Sequence, residues 1–216
     1  ATTERAMDTV EAELLEAARE ACLAAGRVIQ ANRDRRLEVS SKGFASQASD
    51  VVTELDLQAQ AIIEAILAPT LERYDLGMLA EEGEQDESRL SKHAFWAVDP
   101  LDGTQHFIEG TGGDATSVAL VRHSGEALLG VVYDPVRGAL YEAVKGRGVR
   151  VNGTPLKRPS EELESARPTR WLADPSLRQH PAFEELQARY DVRFIGGAVM
   201  NAIHVLTEVN SVYVKF

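Results

Sequence analysis

A short apolar stretch over 93–98, containing Phe95, Trp96 and Val98, leads without a break into Asp99-Pro100-Leu101-Asp102-Gly103-Thr104. A run of this length and composition reads as a buried strand. Any fold that buries it must therefore deliver two carboxylates, three positions apart, at the strand's C-terminal end. Pro100 and Gly103 are read as turning the chain sharply between and after them. Burying two like charges so close together is costly unless a cation compensates. A second apolar run over 75–80 ends in the same way, on Glu81-Glu82. Carboxylates plus a backbone carbonyl such as that of Leu101 suit Mg2+ better than zinc or copper, because hard cations take oxygen ligands. For this motif taken alone, a polar turn with its acids facing water stays open as the alternative.

The charge balance narrows the partners. The chain has 216 residues with 34 acidic and 23 basic side chains, a formal net charge of -11. Phosphate neutralisation along a nucleic-acid polymer needs a basic stripe, so that class of partner is excluded as a first reading. A small anionic substrate remains compatible if a metal or a helix N-terminus reverses the local field. The 44% hydrophobic and 26% charged fractions are those of a soluble globular protein. Neither a run of about 18 apolar residues nor a signal-peptide pattern occurs, so no membrane partner and a cytoplasmic location are expected. The single cysteine, Cys22, leaves no intramolecular disulfide and no cysteine-based zinc cluster. It lies within a helical pattern and reads as a small core residue.

Around these motifs the chain is organised as follows. Over 8–32, Val10, Leu14, Ala17, Ala18, Ala21, Ala25 and Val28 recur at helical spacing, which predicts an amphipathic helix. A second helix is expected over 53–67, with Thr53 as its N-cap, Asp56 in its first turn and Pro69 closing it. From 116 to 153 the pattern changes to four strands, at 117–121, 127–133, 140–144 and 149–151. Ser124-Gly125, Asp134-Pro135, Arg137-Gly138, Gly146 and Gly148 separate them, which predicts an antiparallel meander. Beyond a Pro- and Glu-rich connection, a strand is expected at 170–173, a helix at 181–190, a strand at 192–195, a helix at 199–207 and a last strand at 211–216. The change near Pro159 divides the chain into a metal-binding half with an antiparallel sheet, 1–158, and an incomplete α/β half, 159–216.

Gly103-Thr104 reads as the entry to a short helix over 105–109, whose backbone N–H groups at Gly103 and Thr104 would receive a phosphate. A metal site beside a helix N-terminus is a phosphoryl-transfer arrangement, because cations polarise phosphate oxygens and lower the pKa of bound water. Thr104 and Asp56 supply the hydroxyl and the carboxylate that would orient this water as a general base.

Asp50-Val51-Val52-Thr53-Glu54-Leu55-Asp56, Ala80-Glu81-Glu82, and Trp96 through Asp99-Pro100-Leu101-Asp102-Gly103-Thr104 to Phe107 occur in order. Their order and spacing resemble the inositol monophosphatase superfamily, which includes the 3'(2'),5'-bisphosphate nucleotidases. The resemblance covers most of the chain and implies an α/β (α+β) fold. It would be a layered αβαβ sandwich of the sugar-phosphatase type shared with fructose-1,6-bisphosphatase. It implies Mg2+, two or three ions per site, with Glu81, Asp99 and the Leu101 carbonyl on the first ion and Asp99 with Asp102 on the second. Glu82 would stand behind these ligands, Thr104 and Asp56 would activate water, and Lys42 is similar in position to a family lysine near the active site. Lithium sensitivity and a small phosphorylated substrate are implied as well, and a homodimer is compatible.

Two departures accompany the resemblance. The family ordinarily has Gly where this chain has Ala80, and Asn where it has His106. The family's Trp-Asp motif, whose Asp completes the second metal site, is absent: Trp96 and Trp171 are followed by Ala97 and Leu172. Truncation of the C-terminal part, with impaired activity, is the expectation. The alternatives are a non-catalytic metal- or phosphate-binding variant of the fold and a haloacid-dehalogenase-type phosphatase. In the latter, the two aspartates stand two positions apart and the first is phosphorylated.

Overall fold

The computed structural model describes residues 2–34, 45–82, 87–157, 170–208 and 210–215, with the backbone alone for 2–8 and 45–53. Two long helices form the first layer, α1 (Thr2–Ala31) and α2 (Ala45–Tyr74). On α1, Leu14, Ala18, Ala21, Cys22, Ala25 and Ile29 are buried along one face, the amphipathic face expected except that Val10 is exposed and Ile29 takes the place of the half-buried Val28. Cys22 is packed as a core residue, its thiol donating to the Val131 carbonyl at 3.5 Å. On α2 the buried face is Leu55, Asp56, Ala59, Gln60, Ile63, Leu67 and Thr70, apolar except where it meets the acidic motifs and at Thr70.

Two expectations about α2 are corrected. The helix begins at Ala45, so Thr53 lies inside it, and it runs through Pro69 to Tyr74. Pro69 removes one N–H from the helical ladder, but tertiary bonds carry the helix past it. The Thr70 hydroxyl donates to the Leu67 carbonyl at 2.6 Å and accepts the Trp96 indole N–H at 2.9 Å. Trp96 is wholly buried, so this bond ties the segment after Pro69 to the centre of the sheet.

The second layer is a seven-stranded sheet in sequential order: β1 (Gly77–Ala80), β2 (Ala94–Asp102), β3 (Ala115–Arg122), β4 (Ala127–Asp134), β5 (Ala139–Val144), β6 (Gly148–Val151) and β7 (Thr154–Pro155). Only β1 and β2 are parallel; the rest is the expected meander. Val98, Val118 and Val131 stand in register across β2, β3 and β4 and point into the core under α1 and α2. Ala97, Ala119, Gly130 and Ala143 form the adjacent row, on the opposite face.

α3 (Thr104–Glu109) follows β2 and packs beside α2, its Phe107 in the same core. A third layer covers part of the opposite face; after β8 (Arg170–Ala173) come α4 (Phe183–Arg189), β9 (Asp191–Arg193), α5 (Ala198–Thr207) and β10 (Ser211–Val214). Met200 and Ile203 of α5 bury themselves against Ala115, with Val132 and Tyr141 packed alongside. β10, β8 and β9 form a parallel three-stranded sheet with β8 in the middle, the fourth layer of a mixed α/β sandwich. Among the described residues no helix is long and apolar enough to cross a membrane.

Candidate functional site

β1 and β2 run parallel, so their C-terminal ends lie together, and each ends on acidic residues. The sharp turn expected at Pro100 is instead a β-bulge. Asp99 pairs with Ser117 and Asp102 with Ala115, so Pro100 and Leu101 stand opposite the single residue Thr116. The proline sits where no ladder N–H is needed, and its carbonyl accepts the Thr116 hydroxyl at 2.9 Å. This extra residue has a chemical consequence. In a regular strand two residues three positions apart face opposite sides; the bulge brings the Asp99 and Asp102 carboxyls within electrostatic reach of each other.

The electrostatics show that convergence. The Asp99 carboxyl is pushed up to about 8, first by burial, then by its hydrogen bond to Glu81 and the charges of Glu81 and Asp102, against one bond from the Leu101 amide. Asp56, reaching in from α2, is pushed up to about 7 by burial and by the charges of Glu82 and Glu81. It is 6% exposed, and its Oδ1 has no hydrogen-bond partner. Burial also raises Asp102, but amides from α5 oppose it: Ala198 donates to Oδ1 at 3.0 Å and Val199 to Oδ2 at 2.9 Å. The sequence reading placed Asp102 beside the short helix that follows it; its own amide donors come from the distant α5.

The local backbone is built for close approach. Gly103 has φ +81°, in the left-handed region, and starts α3. The Thr104 hydroxyl donates to the Leu101 carbonyl at 3.1 Å, which leaves its lone pairs free to accept a hydrogen bond. Glu82 is set by a residue that the motifs did not single out, while the Glu81 amide donates to the Val98 carbonyl at 3.2 Å. Gln60, one turn beyond Asp56 on α2, accepts the Glu82 amide at 2.8 Å and donates to its carbonyl at 2.7 Å. A glutamine at i+4 from Asp56 on an otherwise apolar helix face was the available signal. Tyr213 was missed too: its hydroxyl is buried without a partner, and the charges of Asp174 and Asp102 add to the burial that raises it.

A recess of about 430 Å³ opens beside these groups, lined by Ala80, Glu81, Asp99 and Ser117 and floored by Ala97 and Ala119. Lys42 and the side chain of Asp50 lie outside the described residues. His106 is turned away, its Nδ1 within 2.9 Å of the Thr111 hydroxyl.

The donors present suit an oxygen-liganded cation. The orphaned Asp56 oxygen and the raised Asp56 and Asp99 carboxyls are uncompensated negative charge that such an ion would relieve. Among the described residues, however, no three His, Cys, Asp or Glu side chains are gathered closely enough to hold an ion as they stand. Part of the reason is visible: both Asp102 oxygens face α5 amides, and Asp99 Oδ1 accepts the Leu101 amide at 3.1 Å.

Comparison with known proteins agrees with this architecture. The sequence model of the inositol monophosphatase family matches residues 10–216. The chain is 33% identical over 132 residues to the Nus factor SuhB of Vibrio cholerae, a match covering 61% of this chain and 46% of that one. The chain thus spans about half the length of the curated relatives it matches. Among solved structures, the inositol monophosphatase of Anabaena superposes with a TM-score of 0.69 at 25% identity, covering 89% of this chain and 70% of that one. SaIMPase-II with 2'AMP bound superposes at 0.60 with 28% identity, covering 83% and 67%. It has also been solved with inositol monophosphate bound.

Proposed function

The chain belongs to the inositol monophosphatase family, and from that premise we propose that it is a Mg2+-dependent phosphatase acting on a small phosphomonoester. The observation that carries this reading is the bulge at Pro100 and Leu101, which turns Asp99 and Asp102 toward one site together with Glu81. Glu81, Asp99, Asp102 and the Leu101 carbonyl would hold the cation. When bound, Mg2+ would polarise the phosphate oxygens and make a coordinated water acidic.

The protein's own groups supply the rest. Asp56, with a free oxygen, accepts a proton from the attacking water, and Thr104, its hydrogen committed to the Leu101 carbonyl, orients that water by accepting. The backbone at Gly103 and Thr104 receives the phosphate, and Glu82, pinned by Gln60, keeps Glu81 in place. Lys42 is assigned to the same site by resemblance. Two substrate classes are in view, a 3'(2'),5'-bisphosphate nucleotide and an inositol monophosphate. By resemblance alone, the former is favoured by the stretch from Phe107 to Gly110 and by the segment over 128–133. SaIMPase-II, a related fold, has been solved with 2'AMP and with inositol monophosphate bound.

The test is phosphate release from 3'-phosphoadenosine 5'-phosphate and inositol 1-phosphate with and without Mg2+. Turnover of the nucleotide that depends on Mg2+ supports the reading. Equal or absent activity on both defeats the substrate assignment, and an aspartyl-phosphate trapped on Asp99 defeats the direct attack of water. A second reading, a non-catalytic metal- or phosphate-binding chain of the same fold, is favoured by one observation: the curated relatives are named as a Nus factor. Saturable Mg2+ binding with no turnover of any phosphomonoester would select it.

A further inference from the structure

Arg33, just beyond the end of α1, makes a connection that the acidic motifs do not explain. Its guanidinium grips the Asp114 carboxylate as a fork, with Nη1 to Oδ1 at 3.1 Å and Nη2 to Oδ2 at 2.6 Å. Asp114 is wholly buried and the Arg33 side chain is 15% exposed, so this pair is unlike the surface ion pairs elsewhere on the molecule. A forked, desolvated arginine and carboxylate fix geometry as well as charge. The guanidinium also lies over the ring of Phe107, 5.1 Å from its centroid, and Phe107 is the wholly buried residue of α3.

The position of Asp114 gives the pair its reach. Its neighbour Gly113 accepts the Gly197 amide through its carbonyl at 2.9 Å. Gly197 is the N-cap of α5, immediately before the two amides that hold Asp102. The three backbone segments meet with no spare room. A Cβ placed on Gly103 would lie 2.8 Å from the Gly113 carbonyl oxygen, 3.1 Å from the Gly197 nitrogen and 3.3 Å from the Asp114 Cα. Contacts this tight transmit displacement, because packed backbone has no void to absorb it.

We propose that Arg33 is a positioning residue of the acidic site: through Asp114 and Gly113 it holds the N-terminus of α5 against Asp102. Without the fork, the 110–114 loop loses its anchor beyond the end of α1, Gly113 no longer fixes Gly197, and the Ala198 and Val199 amides grip Asp102 less firmly. Under the function proposed above, on which this consequence rests, Asp102 is then a poorer partner for a cation. Arg33→Lys keeps the charge and loses the fork; Asp114→Asn keeps the shape and loses the charge.

Two measurements on the intact chain separate the links. In metal-free protein, hydrogen exchange of the Ala198 and Val199 amides rises about tenfold in Arg33→Lys and in Asp114→Asn, while the Glu208 amide at the other end of α5 is unchanged. Arg19→Lys is the matched control, since Arg19, on α1, is likewise an arginine beside a buried carboxylate, its Nη1 3.5 Å from Glu142. It leaves exchange at Ala198 and Val199 at the wild-type rate. In calorimetric titration with Mg2+, half-saturation moves to about tenfold higher concentration in the Arg33 and Asp114 variants and not in the control. If melting temperature falls in Arg33→Lys and Asp114→Asn while Ala198 and Val199 exchange as in wild type, the pair is only structural and the proposal is overturned. If the exchange effect is present but wild-type protein binds no Mg2+, the proposed function fails and the coupling of Arg33 to Asp102 stands.

Discussion

Val199 and Asp102, 97 positions apart in sequence, are joined by a 2.9 Å hydrogen bond from the Val199 amide to Oδ2. With the Ala198 amide on Oδ1, the carboxylate sits on the positive end of α5, where an anion is stabilised by unpaired N–H groups and the helix dipole. One acidic residue of the cluster is therefore held by protein donors, whereas Asp56 and Asp99 have far less to offset their burial.

Substituting Gly197 tests how closely that contact is fitted. A Cβ there would lie 2.3 Å from Asp102 Oδ2 and 2.6 Å from the Gly103 nitrogen, and the Gly197 φ of -63° is one that alanine adopts freely. The obstacle in Gly197→Ala is thus crowding alone. Overpacking of this kind costs about 1–3 kcal/mol, and the variant is expected to lose that much stability in denaturant melts. Under the proposed function, phosphate release is expected to fall at least about tenfold, because Asp102 must move. Wild-type activity in Gly197→Ala would show that the position of Asp102 does not matter to turnover.

Asp99→Asn separates stability from function. Asp99 is held near 8 by burial and by Glu81 and Asp102, so its charge works against the metal-free fold. At pH 8 the amide variant is expected to melt at or above the wild-type temperature without metal, and to lose both Mg2+ binding and phosphate release. Retention of wild-type turnover would remove Asp99 from the site.

Thr104→Ala makes the complementary case. The hydroxyl gives one hydrogen bond to the Leu101 carbonyl, worth about 1 kcal/mol, so the fold and Mg2+ binding survive. Turnover drops about a hundredfold if Thr104 orients the attacking water. A parallel loss of Mg2+ affinity would instead make the threonine a support for the Leu101 carbonyl.

Gln60 bridges the two acidic motifs, since it stands on α2 one turn from Asp56 and holds both polar groups of the Glu82 peptide. Gln60→Leu preserves size and leaves the Glu82 amide and carbonyl without these partners. Removing them costs about 1–3 kcal/mol, or roughly 5 °C in melting temperature for a chain of this size. Thermal melts check the stability, and Mg2+ titration checks whether Glu81 shifts with its neighbour.

Much of this arrangement is legible in the residues themselves. The meander follows from glycine and Asx turns spaced between alternating strands, and the acidic pairs follow from apolar runs that end on carboxylates. Three features were not legible, each because its cause lies far away in sequence. Pro69 stops an isolated helix, but Trp96 holds Thr70 and carries α2 onward. Asp99 and Asp102 imply a turn until Thr116 on the neighbouring strand shows that two residues oppose one. Arg33 and Asp114 are unremarkable singly and become a buried fork only when α1 meets the loop before β3. The carboxyl of Asp56 does lie within electrostatic reach of Glu81 and Glu82, although the helix start expected near it lies inside α2.

The raised carboxyls also set the pH dependence of the metal-free protein. Asp56 is pushed up to about 7 and Asp99 to about 8, against ordinary values of 3.8 for both. Between about pH 4 and pH 8 the folded chain therefore holds more protons at these two groups than the unfolded chain does, and stability falls as pH rises. Their stabilising protonation is complete below about pH 4 and is lost as pH passes through 7 and 8. Thermal melts of the wild type against an Asp56→Asn, Asp99→Asn double variant isolate the effect from other titrating groups. The wild type is expected to lose ground steadily to the double variant from pH 5 to pH 8, and saturating Mg2+ should recover stability in the wild type alone. A difference between the two proteins that is flat across this range would mean that neither carboxyl is raised, and the electrostatic argument for a cation between them would fall with it.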